Sequence, residues 1–206
     1  MRDLAGPFMQ IKRHRAALAV LVASFGGLFL AGIALTLFVP ELRPGSLAVL
    51  RPEDEAGGLG SFVTSAYSSG NVVYAMSVTL GVNLLWASLI QTTLPTFIIP
   101  YFGIFATGLR FFFWGVLFTP VGNADSSIFV HYVTLCLEGA GYTLAALAAW
   151  IYSQMFLKPQ SYGFNSKQEG FKAGSFATLK IYLLITAVLV VAAAYEAVSV
   201  IYFIAD

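Results

Sequence analysis

Long apolar stretches alternate with polar segments along the chain. A helix needs about 20 apolar residues to cross a bilayer, and five stretches come close to that length. The pattern therefore predicts an all-α integral membrane protein, a bundle of five transmembrane helices in a single membrane domain covering residues 1–206. Pro95 and Pro100 predict that the second helix ends and turns tightly into the third. The predicted spans are 16–38, 72–93, 101–119, 128–155 and 181–204.

The composition supports a membrane location and argues against nucleic acid as a partner. Hydrophobic residues make up 58% of the chain and charged residues only 10%, whereas soluble domains have about 25% charged residues. The net charge is +1, and the Lys and Arg residues are scattered rather than clustered in a basic stripe. The lipid bilayer is thus the first predicted partner.

Basic residues are unevenly distributed between the two predicted sides. Five spans place eight Lys and Arg residues on the side of the amino terminus and only Arg43 and Arg51 on the other side. Cytoplasmic segments carry the excess of basic residues. We therefore expect a cytoplasmic amino terminus, an outer loop at 39–70, a cytoplasmic loop at 158–179 and an external carboxyl terminus, in the inner membrane of a bacterial or archaeal cell. The eight are Arg2, Lys12, Arg13, Arg15, Lys158, Lys167, Lys172 and Lys180.

Several polar residues interrupt the apolar spans. An ionisable residue inside a membrane helix marks a functional site by default. At a rise of 1.5 Å per residue, Asn83, Arg110 and Glu138 lie about 14 to 16 Å from the start of their spans, level with one another near the middle of the bilayer. We predict an ion pair between Arg110 and Glu138, with Asn83 satisfying the remaining polar groups. Glu196 and His131 are expected nearer the outer face.

This polar set allows two interpretations. In the first, the Arg110 ion pair locks the register of the helices and has a purely structural role. In the second, one base beside two acids leaves a surplus carboxyl group, and Glu196, His131 and Glu138 form a proton or ion site. No HExxH motif or second intramembrane histidine predicts a metal, and no catalytic motif predicts an enzyme or a cofactor.

Two segments resemble the stage II sporulation protein M family. The run HYVTLCLEGAGYTLAALAAW, from His131 to Trp150, is similar to a family helix in which a glutamate follows a histidine by seven residues and small residues come next. The run VVAAAYEAVSV resembles the family's last helix, with Tyr195 in place of an isoleucine. The placement of Asn83 and of the glycine-rich region from Gly103 to Gly115 is also similar.

The chain departs from the family pattern at Val130, where the family has a proline, and at Arg110, where an asparagine or glycine is expected. Asn83 stands alone where asparagines are often paired. The resemblance implies a polytopic inner-membrane protein without established enzymatic activity, whose namesake acts with partner proteins in cell-wall remodelling during engulfment.

The first functional hypothesis is a non-catalytic membrane subunit that scaffolds or anchors a larger assembly of membrane proteins. Its first span carries a stripe of small residues, Ala23, Gly27, Ala31 and Ala34, which allows another helix to approach closely. The alternative is a transport component for protons, small ions or solutes that uses Glu138, Glu196, Arg110 and His131.

Overall fold

The computed structural model describes residues 6–42, 59–121 and 127–204, and these residues are helical for most of their length. No strand occurs within these three ranges. Short 3₁₀ turns lie at Pro40–Leu42 and Pro159–Tyr162. The helices are α1 (Pro7–Arg13), α2 (Arg15–Phe38), α3 (Leu59–Ser68), α4 (Val72–Ile98), α5 (Phe102–Leu117), α6 (Ser127–Leu157) and α7 (Lys167–Ser199), which continues as a π-helical turn over Val200–Ile204.

Within the described residues, four helices are long and apolar enough to cross a membrane, which agrees with the predicted all-α class and indicates a membrane protein. These are Arg15–Phe38, Val72–Ile98, Ile128–Leu157 and Lys167–Phe203. Helix α5 has only 16 residues, a length of about 24 Å, against a hydrocarbon core of about 30 Å. The fifth span and the orientation therefore stay predictions.

The sequence predicted that the second long helix ends before Pro95, but the helix continues to Ile98. Its middle, Val82–Thr93, is π-helical, and Pro95 lies in the first turn of the α-helical segment Leu94–Ile98 that follows. A proline is tolerated there because the missing N–H is not needed in a first turn. The chain then reverses at Tyr101, which has a left-handed backbone (φ 69°) and donates its N–H to Ser153 Oγ at 2.8 Å.

Both predicted loops contain helix. The loop predicted at 158–179 is helical from Lys167 onwards, because Ser166 accepts the backbone N–H of Glu169 at 3.2 Å and the Glu169 carboxylate accepts that of Asn165 at 2.9 Å, as in a capping box. The loop predicted at 39–70 includes α3. The remainder of that loop, 43–58, lies outside the described residues, as do Arg2, Asp125 and Asp206.

Helix α6 is the centre of the bundle. In the most apolar 18-residue stretch of α6, 72% is buried, whereas the corresponding stretch of α2 is only 17% buried. Its most extensive contact is with α7, where small and branched side chains interlock, among them Ala145, Ala146 and Leu189. Helix α2 lies at the periphery and packs mainly on α5.

The backbones of α2 and α5 approach each other directly. A side chain at Gly32 would overlap the carbonyl oxygen of Phe112, and one at Gly115 would overlap that of Phe29. Close approach of this kind is how membrane helices associate through small residues. Near the ends of the same two helices, the hydroxyls of Thr36 and Thr119 hydrogen-bond at 2.8 Å.

Candidate functional site

Two acidic side chains meet between α6 and α7. Glu138 projects from α6 and Glu196 from α7, and their carboxyl groups lie within hydrogen-bonding reach of each other. Glu138 is 8% exposed and Glu196 is 9% exposed. Two neighbouring buried carboxyl groups disfavour a second negative charge, and an arrangement of this kind is suited to sharing one proton. The depth estimate from the sequence placed Glu196 above a central ion pair and did not predict this contact between two acids.

Helix α4 supplies the next members of the network. The Asn83 amide nitrogen donates to Glu138 Oε1, and the Tyr142 hydroxyl donates to Asn83 Oδ1 at 2.7 Å. Asn83 lies at the start of the π-helical segment, and π-helical turns are frequent at functional sites. Within that segment, the hydroxyls of Ser88 and Thr92 donate to carbonyls five residues earlier, at 2.8 and 2.9 Å.

Helix α3 covers the Glu196 side of the pair. The Tyr67 hydroxyl lies 2.7 Å from Thr79 Oγ1 and within hydrogen-bonding reach of Glu196. The prolines and glycines of this segment predicted a loop, and Tyr67 was not among the predicted site residues. A signal is nevertheless present in the sequence, because Val63, Ala66 and Tyr67 fall at the i, i+3, i+4 spacing of one helix face.

The predicted ion pair between Arg110 and Glu138 is not formed. Arg110 Nη2 donates instead to Gln91 Oε1 at 2.7 Å and to the Ala87 carbonyl at 3.4 Å. The guanidinium carbon lies 4.4 Å from the centre of the Tyr142 ring, a cation–π contact. The prediction was wrong because equal depth in the membrane does not determine which neighbouring helix a side chain contacts. Helix α5 packs chiefly on α2, and Arg110 lies beside α4 and Tyr142.

His131 stands apart from the hydrogen-bonded network. Its ring packs against Phe118 with the centroids 4.7 Å apart, and its Nδ1 atom is buried without a hydrogen-bond partner. His131 and the two glutamates nevertheless line one cavity of about 310 Å³. The structure therefore brings the predicted residues to a common space without pairing His131 with either acid.

This cavity has polar and aromatic walls. The polar lining also includes Thr79, Asn83, Gln91, Arg110 and Tyr142, and Trp86, Trp114 and Phe118 contribute rings. Three buried atoms of the lining residues have no hydrogen-bond partner: Arg110 Nη1, His131 Nδ1 and Glu196 Oε2. Buried polar groups are nearly always satisfied in native proteins, so three such atoms around one cavity indicate a space that receives water or a ligand.

In the described part of the chain, no group of three or more His, Cys, Asp or Glu side chains is placed to hold a metal ion. Comparisons with protein-family models, with curated proteins and with solved structures find no match. The resemblance to the stage II sporulation protein M family stays a prediction, and the cavity with its carboxyl pair is the feature from which a function can be inferred.

Proposed function

We propose that the protein is a multi-pass membrane transport component that binds its coupling proton on the Glu138–Glu196 pair. The observation that carries the proposal is the contact between the two buried carboxyl groups beside a polar cavity. A lock based on an ion pair requires groups of opposite charge, whereas two acids in contact can hold a proton and exchange it. The cavity gives that proton a space to enter and leave.

A five-span topology with a cytoplasmic amino terminus is part of the proposal. Helix α5 shares contacts with both ends of its neighbours: Thr119 bonds to Thr36 near the end of α2, and Tyr101 bonds to Ser153 near the end of α6. Such contacts support a bundle in which α5 runs the length of its neighbours despite having 16 residues. The excess of basic residues supports the orientation, and we propose the inner membrane of a bacterial or archaeal cell.

The surrounding residues have distinct roles in proton binding. Asn83 donates to Glu138 and so favours its charged form, which leaves the shared proton mainly to Glu196. Arg110, which lies over the Tyr142 ring, offsets the remaining negative charge. Tyr67 on α3 closes the Glu196 side of the pair. Movement of α3 away from α4 would therefore open the pair to one side of the membrane.

Proton movement in proteoliposomes tests this function. Liposomes containing the protein and a trapped pH dye are given a pH gradient and a compensating potassium path. We expect the wild type to dissipate the gradient several-fold faster than empty liposomes, and Glu196→Gln to be as slow as empty liposomes. Glu41→Gln, a change at an exposed acid in the 3₁₀ turn, is the matched control. A wild type no faster than empty liposomes would overturn the proposal.

A membrane scaffold is the second candidate, and one observation favours it. Ala23, Gly27 and Ala31 of the small-residue stripe are exposed on α2, and a Cβ at Gly27 would meet no atom within 4 Å. The stripe is therefore open to a helix of another subunit. In mild detergent, Gly27→Leu should abolish co-purification of a defined partner subunit, whereas Val22→Leu on another exposed face should not. Unchanged co-purification with Gly27→Leu would contradict this role.

A further inference from the structure

We propose that the cavity beside Glu138 and Glu196 binds a small protonated amine, one amine replacing one proton. The inference rests on the proposed function, because the amine takes over the charge that the shared proton neutralises. The proposed ligand has a primary ammonium group on a short apolar body. Three features of the cavity support it: unpaired acceptors, aromatic walls and charge balance.

The first feature is a pair of acceptors without donors. Glu196 Oε2 is buried and unpartnered, and so is His131 Nδ1; His131 is 4% exposed. A neutral imidazole with its proton on Nε2 accepts a hydrogen bond at Nδ1. Both residues line the same cavity. An ammonium group carries three N–H donors and no acceptor, so it matches the unpaired acceptors of two residues that line one cavity.

The second feature is the wall around these acceptors. Trp86, Trp114 and Phe118 place aromatic rings on the cavity, and Leu135 adds an aliphatic surface. Aromatic faces attract cations, most strongly where water is excluded, and the same rings bury the apolar body of the ligand. A volume of about 310 Å³ is at the lower end of the range for ligand sites, which suits a small ligand.

The third feature is the sum of charges facing the cavity. Helix α4 contributes the neutral Asn83, α5 contributes Arg110, α6 contributes neutral His131 and Glu138, and α7 contributes Glu196. The neutral Tyr67 of α3 reaches Glu196. With one shared proton, the two acids carry one negative charge, which balances Arg110.

Exchange preserves this balance. When the ammonium ion enters, the shared proton leaves to solvent, so that two carboxylates face one ammonium and one guanidinium group. No covalent bond forms or breaks apart from the O–H bond of the carboxyl pair. Since an unbalanced charge is strongly disfavoured in a low-dielectric interior, the exchange is one for one. An anion would instead add a negative charge beside two acids.

Calorimetric titration counts the exchanged protons. The full-length protein in detergent is titrated with isoamylammonium chloride at one pH in two buffers of different ionisation enthalpy, and isoamyl alcohol is the neutral control of the same shape. We expect about one proton released per amine bound and no saturable binding of the alcohol. Glu196→Gln should bind at least tenfold more weakly, while Glu41→Gln should match the wild type. Equal binding by wild type and Glu196→Gln would overturn the inference.

A second readout uses the wild type alone, so the inference stays testable if Glu196→Gln fails to fold. Release of one proton makes the apparent dissociation constant fall about tenfold for each unit of pH increase, measured between pH 6 and 8. An affinity that does not change with pH would overturn the exchange.

If the wild type dissipates a pH gradient in proteoliposomes but releases no proton on adding amine, the amine assignment alone is wrong. If the carboxyl pair holds no proton, both proposals are wrong.

Discussion

The α2–α5 pair and the α4–α6–α7 centre are held together by different kinds of contact. Between α2 and α5, backbones touch at Gly32 and Gly115, and packing alone accounts for the association. At the centre, Asn83, Glu138 and Glu196 are buried together, although apolar residues of similar size would pack there at lower cost. Packing therefore explains the first region, whereas the polar contacts of the second region are the basis of the proposed function.

The largest expected loss of stability comes from removing the central amide. Asn83→Leu deprives Glu138 of a donor and the Tyr142 hydroxyl of its acceptor. Each buried group left unsatisfied costs about 1 to 3 kcal/mol, so two such groups cost about 2 to 6 kcal/mol. Unfolding in detergent measures the loss, and Asn165→Leu at an exposed position before α7 is the matched control. An unfolding free energy equal to that of the wild type would show that the network contributes nothing.

A methyl group tests the peripheral pair. In Gly115→Ala the new Cβ overlaps the carbonyl oxygen of Phe29, so α2 and α5 must separate, and we expect a loss of about 1 to 3 kcal/mol. Gly27→Ala is the matched control because its Cβ would meet no atom within 4 Å. Thermal unfolding of the two variants gives the comparison. Equal melting temperatures would contradict the direct contact of the backbones.

Replacing the central arginine distinguishes the observed contacts from the ion pair predicted from the sequence. Arg110→Met loses the hydrogen bond to Gln91 and the cation–π contact with Tyr142, each worth about 1 kcal/mol. The buried acids can take up a second proton in place of the lost charge, so we expect a loss of about 2 kcal/mol in the free energy of unfolding. A loss of about 3 to 5 kcal/mol would indicate instead that Arg110 forms the predicted ion pair with Glu138.

The smallest effect is a pH dependence at the junction of α1 and α2. Burial, with a further contribution from the charge of Arg13, lowers the pKa of His14 below its ordinary value of 6.5. The unfolded chain therefore takes up a proton more readily than the folded one as the pH falls through 6.5, and stability decreases. His14→Phe keeps a ring against Trp150 without titrating there. Its melting temperature should fall less between pH 7.5 and 5.5; an identical fall would contradict this.

The pattern of apolar residues predicted most of the fold. Apolar length alone locates α2, α4, α6 and α7, because crossing a bilayer requires about 20 such residues. Apolar length did not predict where the helices end, because the ends depend on local interactions. Pro95 lies in the first turn of a helical segment and Ser166 caps α7, so both helices extend beyond their predicted limits. The sequence S-K-Q-E at 166–169 contained the second signal.

The candidate residues could be predicted individually, but their partners could not. Polar side chains in apolar spans identified Asn83, Glu138 and Glu196, since depth follows from position along a helix. Which side chains touch depends on the rotation of each helix about its axis, which the sequence does not give. The pairing of Glu138 with Arg110 was predicted from their opposite charges. The structure places Glu138 against a second acid instead.

Infrared spectroscopy of the protein in lipid at neutral pH tests the shared proton most directly. We predict a protonated-carboxyl band in the wild type that shifts or weakens in both Glu196→Gln and Glu138→Gln, and that is unchanged in Glu41→Gln. A wild type without this band, or a band that survives unchanged in both Glu196→Gln and Glu138→Gln, would show that the two acids share no proton.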